Sequence, residues 1–259
     1  MILSKHEEVF LEKFSKNQYM QSIQSRIDFW VKQSGNSQSS WNEVLNHLYE
    51  IFESAKDDVD NILDLRFLSG EIKNKLQARR SVLGKALTNT IIYVFIRNKL
   101  VGNISENIFI TDNKSIIPDF DKVLTINVGE EIEKLDTDLI IFSLKENSKL
   151  KKCIVLSLLT SKSARIENTY KWKLLMEIAM SDCEVRDKYE ISYNPPTIPL
   201  VCFVTVNFYN EINNPQHRGM FKFFDRAFIG KPIDPQSTNF ISPLSNLIEF
   251  TNENLIESS

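Results

Sequence analysis

Glycine and proline are scarce in this chain, seven and eight among 259 residues. So few turn-formers argue against a β-sandwich with its many hairpins, and against a glycine-rich nucleotide-binding fold. Cysteine is scarcer still. Cys153, Cys183 and Cys202 are odd in number and widely spaced, and two fall inside apolar runs. They read as small buried hydrophobes in a reducing compartment, not as disulfides or a zinc site. His6, His47 and His217 stand alone, without an HExxH pattern or cysteines at ligand spacing, which counts against a zinc enzyme. No apolar run approaches the roughly 20 residues of a membrane span. The opening Met1-Ile2-Leu3-Ser4-Lys5-His6-Glu7-Glu8 lacks the charged head and apolar core of a signal peptide. A cytoplasmic protein is expected. Strong charge of one sign is missing too. A net charge of −3 disfavours a non-specific nucleic-acid binder but permits a local basic cleft. Basic residues are enriched between Lys73 and Lys99, and acidic ones between Glu50 and Asp64.

What is present is an ordinary globular composition, 42% hydrophobic and 25% charged, long enough to bury a good core. The first 70 residues read as helical, forming a subdomain or an elaboration on the main fold. One helical stretch is expected over residues 4–33 and a second from Trp41 to before Leu65, capped by Ser39 or Ser40 with Glu43. A third is expected over residues 71–100, with Gly84 in its interior. Glycine there costs roughly 1 kcal/mol relative to alanine, so it marks tight helix–sheet packing or a face turned to another molecule. Residues 71–259 then form the α/β part. Short strands are expected at 108–110, 123–126, 139–142 and 153–159, before a helix over 163–180. A central strand over 198–206, a polar loop over 210–219, a short helix at 220–224, a strand at 227–229 and a closing helix at 241–256 complete the order.

The stretch Asp136-Thr137-Asp138-Leu139-Ile140-Ile141-Phe142-Ser143 carries the most chemistry. A polar connector separates it from Cys153-Ile154-Val155-Leu156-Ser157-Leu158-Leu159, which gives way to Thr160-Ser161-Lys162-Ser163-Ala164-Arg165-Ile166-Glu167. Two β-branched-rich runs flanking a polar connector read as a hairpin of buried strands. Asp138 then heads one strand, while hydroxyls and a lysine follow its neighbour. Phosphodiester hydrolysis needs such a set: a hard oxygen ligand for Mg²⁺, a second ligand on the adjacent strand, and an amine near the attacking water.

These residues resemble the type II restriction endonucleases of the PD-(D/E)xK superfamily. Thr137-Asp138 is similar to the family's PD element, Ser157-Leu158-Leu159-Thr160-Ser161 to its SxKTS variant, and Arg165 with Glu167 to its helix entry. Upstream, Arg79-Arg80-Ser81-Val82-Leu83-Gly84-Lys85-Ala86-Leu87-Thr88-Asn89 resembles an RRS-x-x-GK-x-LEN helix. Leu159 stands where the family has its catalytic lysine, and Thr88 where it has a helix glutamate. The resemblance implies a restriction-endonuclease-like mixed sheet flanked by helices, behind an N-terminal helical section. It implies Mg²⁺ as cofactor, double-stranded DNA with a short palindromic site as substrate, and a homodimer matching that symmetry.

Asp138 is the expected metal ligand, and Ser157 is expected to leave its neighbouring carbonyl or its hydroxyl in the metal shell. Lys162 supplies the displaced amine, with Lys171 or Lys173 as substitutes. Arg79, Arg80, Lys85 and Arg165 are expected at DNA. In the loop, Asn213, Asn214, Gln216 and Arg218 are side chains of the kind that read adenine and guanine edges, or simply a polar surface. Asp119 reads as a turn residue, Asp136 as a local cap, Glu177 as an exposed helix carboxylate, and Tyr170 and Trp172 as packing. Two other readings stay open: a DNA-binding relative without catalysis, and a protein-interaction α/β domain.

Overall fold

The computed structural model describes residues 3–159, 164–208, 211–233 and 241–256, with the backbone alone at 164, 165 and 211. Ser4 opens α1 (Lys5–Lys16) through a reciprocal cap in which its hydroxyl accepts from the Glu7 N–H and the Glu7 carboxylate accepts from the Ser4 N–H at 2.8 Å. Asn17 leaves helical geometry, ending α1 and capping α2 (Gln18–Gln33), so the stretch expected as one helix is two. α3 (Gln38–Glu43) is capped by Ser37, not by Ser39 or Ser40, because Ser40 is the residue that bonds back to the cap. A 3₁₀ turn leads into α4 (Leu48–Leu68). α5 (Lys75–Leu100) starts later than expected, where the Asn74 side chain accepts from the Gln77 N–H.

The α/β part runs β1 (Ile108–Thr111), α6 (Phe120–Leu124), β2 (Thr125–Val128), β3 (Glu131–Lys134), β4 (Leu139–Leu144), β5 (Leu150–Leu159) and α7 (Ala164–Met180). It continues with α8 (Glu184–Lys188), β6 (Ile191–Ser192), β7 (Leu200–Thr205), α9 (Pro215–Phe221), β8 (Arg226–Ile229), β9 (Ser242–Pro243) and α10 (Asn246–Leu255). Val123 and Leu124, expected in a strand, instead close α6. The short helix expected at 220–224 lies earlier, because Asn214 and Pro215 start it.

The main sheet is six-stranded in the order β1-β4-β5-β7-β8-β9, and β3-β2-β6 forms a small second sheet. β1, β4 and β5 pair antiparallel, whereas β5, β7, β8 and β9 run parallel, so the main sheet is mixed. Alternation divides its side chains between two cores. Leu139, Ile141, Leu156, Leu158 and Val204 join the N-terminal helices, with Ile27, Leu45 and Phe95 in the same cluster. Ile140, Phe142, Val155, Leu159 and Phe203 instead meet Ile166, Trp172 and Met176 of α7. Asn46 ties the helical section to the far end of the chain, donating to the Ser245 hydroxyl and accepting from the Ser245 N–H, each at 2.9 Å. No helix among the described residues is long and apolar enough to cross a membrane.

Gly230, just past β8, is where the helical section presses closest on the sheet. A Cβ there would meet the Leu45 carbonyl and a Val206 methyl, each at 3.1 Å, and the Gly230 carbonyl accepts from the Tyr49 N–H at 2.9 Å. Gly230→Ala should therefore destabilise the fold by about 1–3 kcal/mol, the usual cost of overpacking. Urea unfolding measures it, and an unchanged midpoint would contradict this packing.

A candidate active site at the carboxyl edge of the sheet

β4 begins where β5 ends, because the two are antiparallel with Leu139 opposite Leu156. That register sets Asp138 across from Ser157. The Asp138 N–H donates to the Leu156 carbonyl at 3.2 Å, and its carboxylate accepts from the Leu158 N–H at 2.8 Å. β7 and β8 run parallel to β5 and end beside it at Thr205 and Ile229. Half-buried Asp138 thus stands at the carboxyl edge of the parallel strands, the edge where open α/β sheets take their ligands. Ile140 and Phe142 lie in the α7-facing core, so alternation points Asp138 to that same face.

The Ser157 hydroxyl is fully buried and accepts from the Thr169 hydroxyl of α7 at 3.0 Å. Within a strand, one residue's N–H and C=O point the same way. Since the Leu158 N–H faces Asp138, the carbonyl on that side belongs to Leu158, while the Ser157 peptide groups face β7. Thr169 shares the buried face of α7 with Ile166, Trp172, Lys173 and Met176, and nothing in the sequence singles out its hydroxyl. Leu159 is 1% exposed and packed in the hydrocarbon of the α7 face.

Lys162 and the Arg165 side chain lie outside the described residues. Lys173 holds both Asp225 oxygens, at 3.1 and 3.0 Å, and Glu177 at 2.7 Å. Asp225 in turn accepts from the Val201 N–H near the start of β7, which ties this amine away from the carboxyl edge. Among the described residues no group of three or more His, Cys, Asp or Glu could hold a metal. One carboxylate beside a backbone carbonyl suits Mg²⁺, which takes hard oxygens and keeps several waters, better than Zn²⁺ with its full protein shell.

A cleft of about 580 Å³ adjoins this edge, between the segment entering β4 and α7, and Glu133, Asp136, Asn168, Thr169 and Lys171 line it. Asp136 pairs with Lys114 at 3.6 Å. Asp119 occupies a left-handed turn position at φ 55° and pairs with Lys122 at 2.9 Å, and that contact holds its carboxyl below the ordinary range. Tyr170 packs edge-on to Phe223 at 4.9 Å, and Trp172 edge-on to Tyr193 at 5.9 Å.

On α5, Arg79 pairs with Asp60 at 3.0 Å, while Arg80 and Lys85 are exposed. Arg79 and Arg80 share a cavity of about 390 Å³ with Phe208, just past β7, so they lie toward the same end of the sheet as Asp138. The Thr88 hydroxyl is spent locally on the Gly84 carbonyl at 3.1 Å. The polar loop expected through residue 219 is instead the start of α9: Asn214 is its cap, accepting from the Gln216 N–H at 2.9 Å. Asn213, Gln216 and Arg218 are exposed there and His217 is buried.

A family model described as BsaWI restriction endonuclease type 2 matches residues 110–251, more than half of the chain and all of the edge just described. A search of curated proteins gives no match.

Proposed function

The chain belongs to the BsaWI family of type 2 restriction endonucleases, and from that premise we propose a Mg²⁺-dependent, site-specific double-strand DNA endonuclease acting as a homodimer on a short palindrome. The observation that carries this reading is the Asp138 carboxylate, hydrogen-bonded to the Leu158 N–H at the carboxyl edge of the sheet, inside the matched residues. Asp138 holds the metal, with the neighbouring β5 carbonyl as a second oxygen. Ser157 keeps α7 against the strand end through Thr169. When bound, Mg²⁺ acidifies a water and offsets charge on the phosphate under attack. Lys162 orients the water in this scheme. Arg79, Arg80, Lys85 and Arg165 neutralise phosphates, while Asn213, Gln216 and Arg218 reach base edges and Asn214 fixes the start of α9.

Digestion of plasmid DNA tests it. Wild-type protein with Mg²⁺ should give discrete fragments, and chelation should stop the reaction. Leu159, sealed in hydrocarbon where an amine is expected, favours a second reading, a DNA-binding relative without chemistry. Retention of duplex DNA without cleavage under any divalent metal would select that reading. Absence of any salt-dependent DNA binding would leave only the protein-interaction domain.

A further inference from the structure

The cleft beside Asp138 has two unlike walls. Glu133 and Lys134 end β3 and Asp136 lies in the segment entering β4; Lys134 is paired with Asp121 at 2.8 Å, Asp136 with Lys114 at 3.6 Å. The α7 wall carries Asn168, Thr169 and Lys171. Thr169 joins this wall to the edge, since its hydroxyl donates to Ser157, the residue across from Asp138. Asn168 and Lys171 flank it three positions apart, so both project from the same side of the helix. Both are exposed. Lys171 makes no ion pair or hydrogen bond with any described residue, in contrast to Lys114, Lys134 and Lys173 around it.

We infer that Lys171, with Asn168, grips the DNA phosphate that neighbours the scissile one and so holds the strand in register over Asp138. The inference rests on the nuclease reading. On the facing wall the ammonium groups of Lys134 and Lys114 are already paired with carboxylates, so a backbone entering this cleft meets its unpaired cation on α7. There the unpaired ammonium supplies charge and the Asn168 amide supplies a neutral donor. The role is positional and distinct from the amine that orients the water.

Fluorescence anisotropy of a short labelled duplex, with Ca²⁺ replacing Mg²⁺ to hold off cleavage, tests it. Wild-type binding should weaken linearly in log salt, and Lys171→Ala should make that slope shallower by about 0.9, one phosphate contact. Affinity at low salt should fall about three- to tenfold. Lys171→Arg should restore both, and the saturated Lys171→Ala complex should still turn over in Mg²⁺, slower than wild type by no more than about tenfold as the strand loses register. A methylphosphonate at the contacted phosphate should weaken wild type more than Lys171→Ala, which keeps only the Asn168 contact. An unchanged slope in the variant, with a clear slope in wild type, overturns this inference and leaves the nuclease reading standing. So does a collapse of turnover with binding intact, which would make Lys171 the water-orienting amine. If wild type itself shows no salt-dependent binding, both fall.

Discussion

Glu7→Gln should lower the stability of the fold by about 3–5 kcal/mol, the cost of leaving one member of a buried ion pair alone. Lys99 is 0% exposed and Glu7 1%. The Lys99 ammonium lies 3.0 and 3.2 Å from the two Glu7 oxygens, donates to the Ile108 carbonyl at 2.8 Å, and sits 4.4 Å from the centre of the Phe109 ring. A single amine thereby joins α1, α5 and β1. Glutamine is nearly isosteric and can still accept from the Ser4 N–H, so the substitution isolates the charge from the cap. Melting temperature should drop by roughly 2–4 °C for each kcal/mol lost. The double variant Glu7→Gln/Lys99→Met should recover part of the loss, because no stranded ammonium remains. A shift in urea midpoint worth less than about 0.5 kcal/mol would mean that the pair is not sealed from water.

The β4–β5 hairpin was legible because both strands are apolar runs bounded by polar residues, and alternation alone aims Asp138. β3 was not legible. All four of its residues are exposed, so burial imposes no pattern on them. β9 has two residues, too few for any period, and forms because Phe228 and Ile229 of β8 present a free edge to it. The start of α9 differs from the expected loop because Asn, Pro and Gln signal a turn and a helix cap equally well, and the Asn214–Gln216 bond occurs in both; the helical bond from the Arg218 N–H to the Asn214 carbonyl separates the two. In the site, Leu159 was recognisable as hydrocarbon from its identity. The bond between Thr169 and Ser157 depends on how α7 docks across the sheet, which no local pattern encodes.

If Asp138 holds the metal as proposed, Asp138→Asn should slow cleavage by at least about a hundredfold, since losing a charged ligand would remove several kcal/mol of transition-state stabilisation and 1.36 kcal/mol is tenfold in rate. The amide oxygen can still accept from the Leu158 N–H, the bond made by the carboxylate at 2.8 Å. The strand edge should therefore stay in place, and stability should change by no more than about 1 kcal/mol. A large fall in both rate and melting temperature would point to a structural role for this carboxylate instead.

On the proposed reading, the Asp138 carboxylate makes hydrolysis depend on a divalent ion. The most direct test is single-turnover cleavage of duplex DNA by wild type and Asp138→Asn, from complexes assembled in Ca²⁺ and started with Mg²⁺. Both proteins should bind, and only wild type should cut at an appreciable rate. Equal cutting rates from the two complexes would take Asp138 out of metal binding.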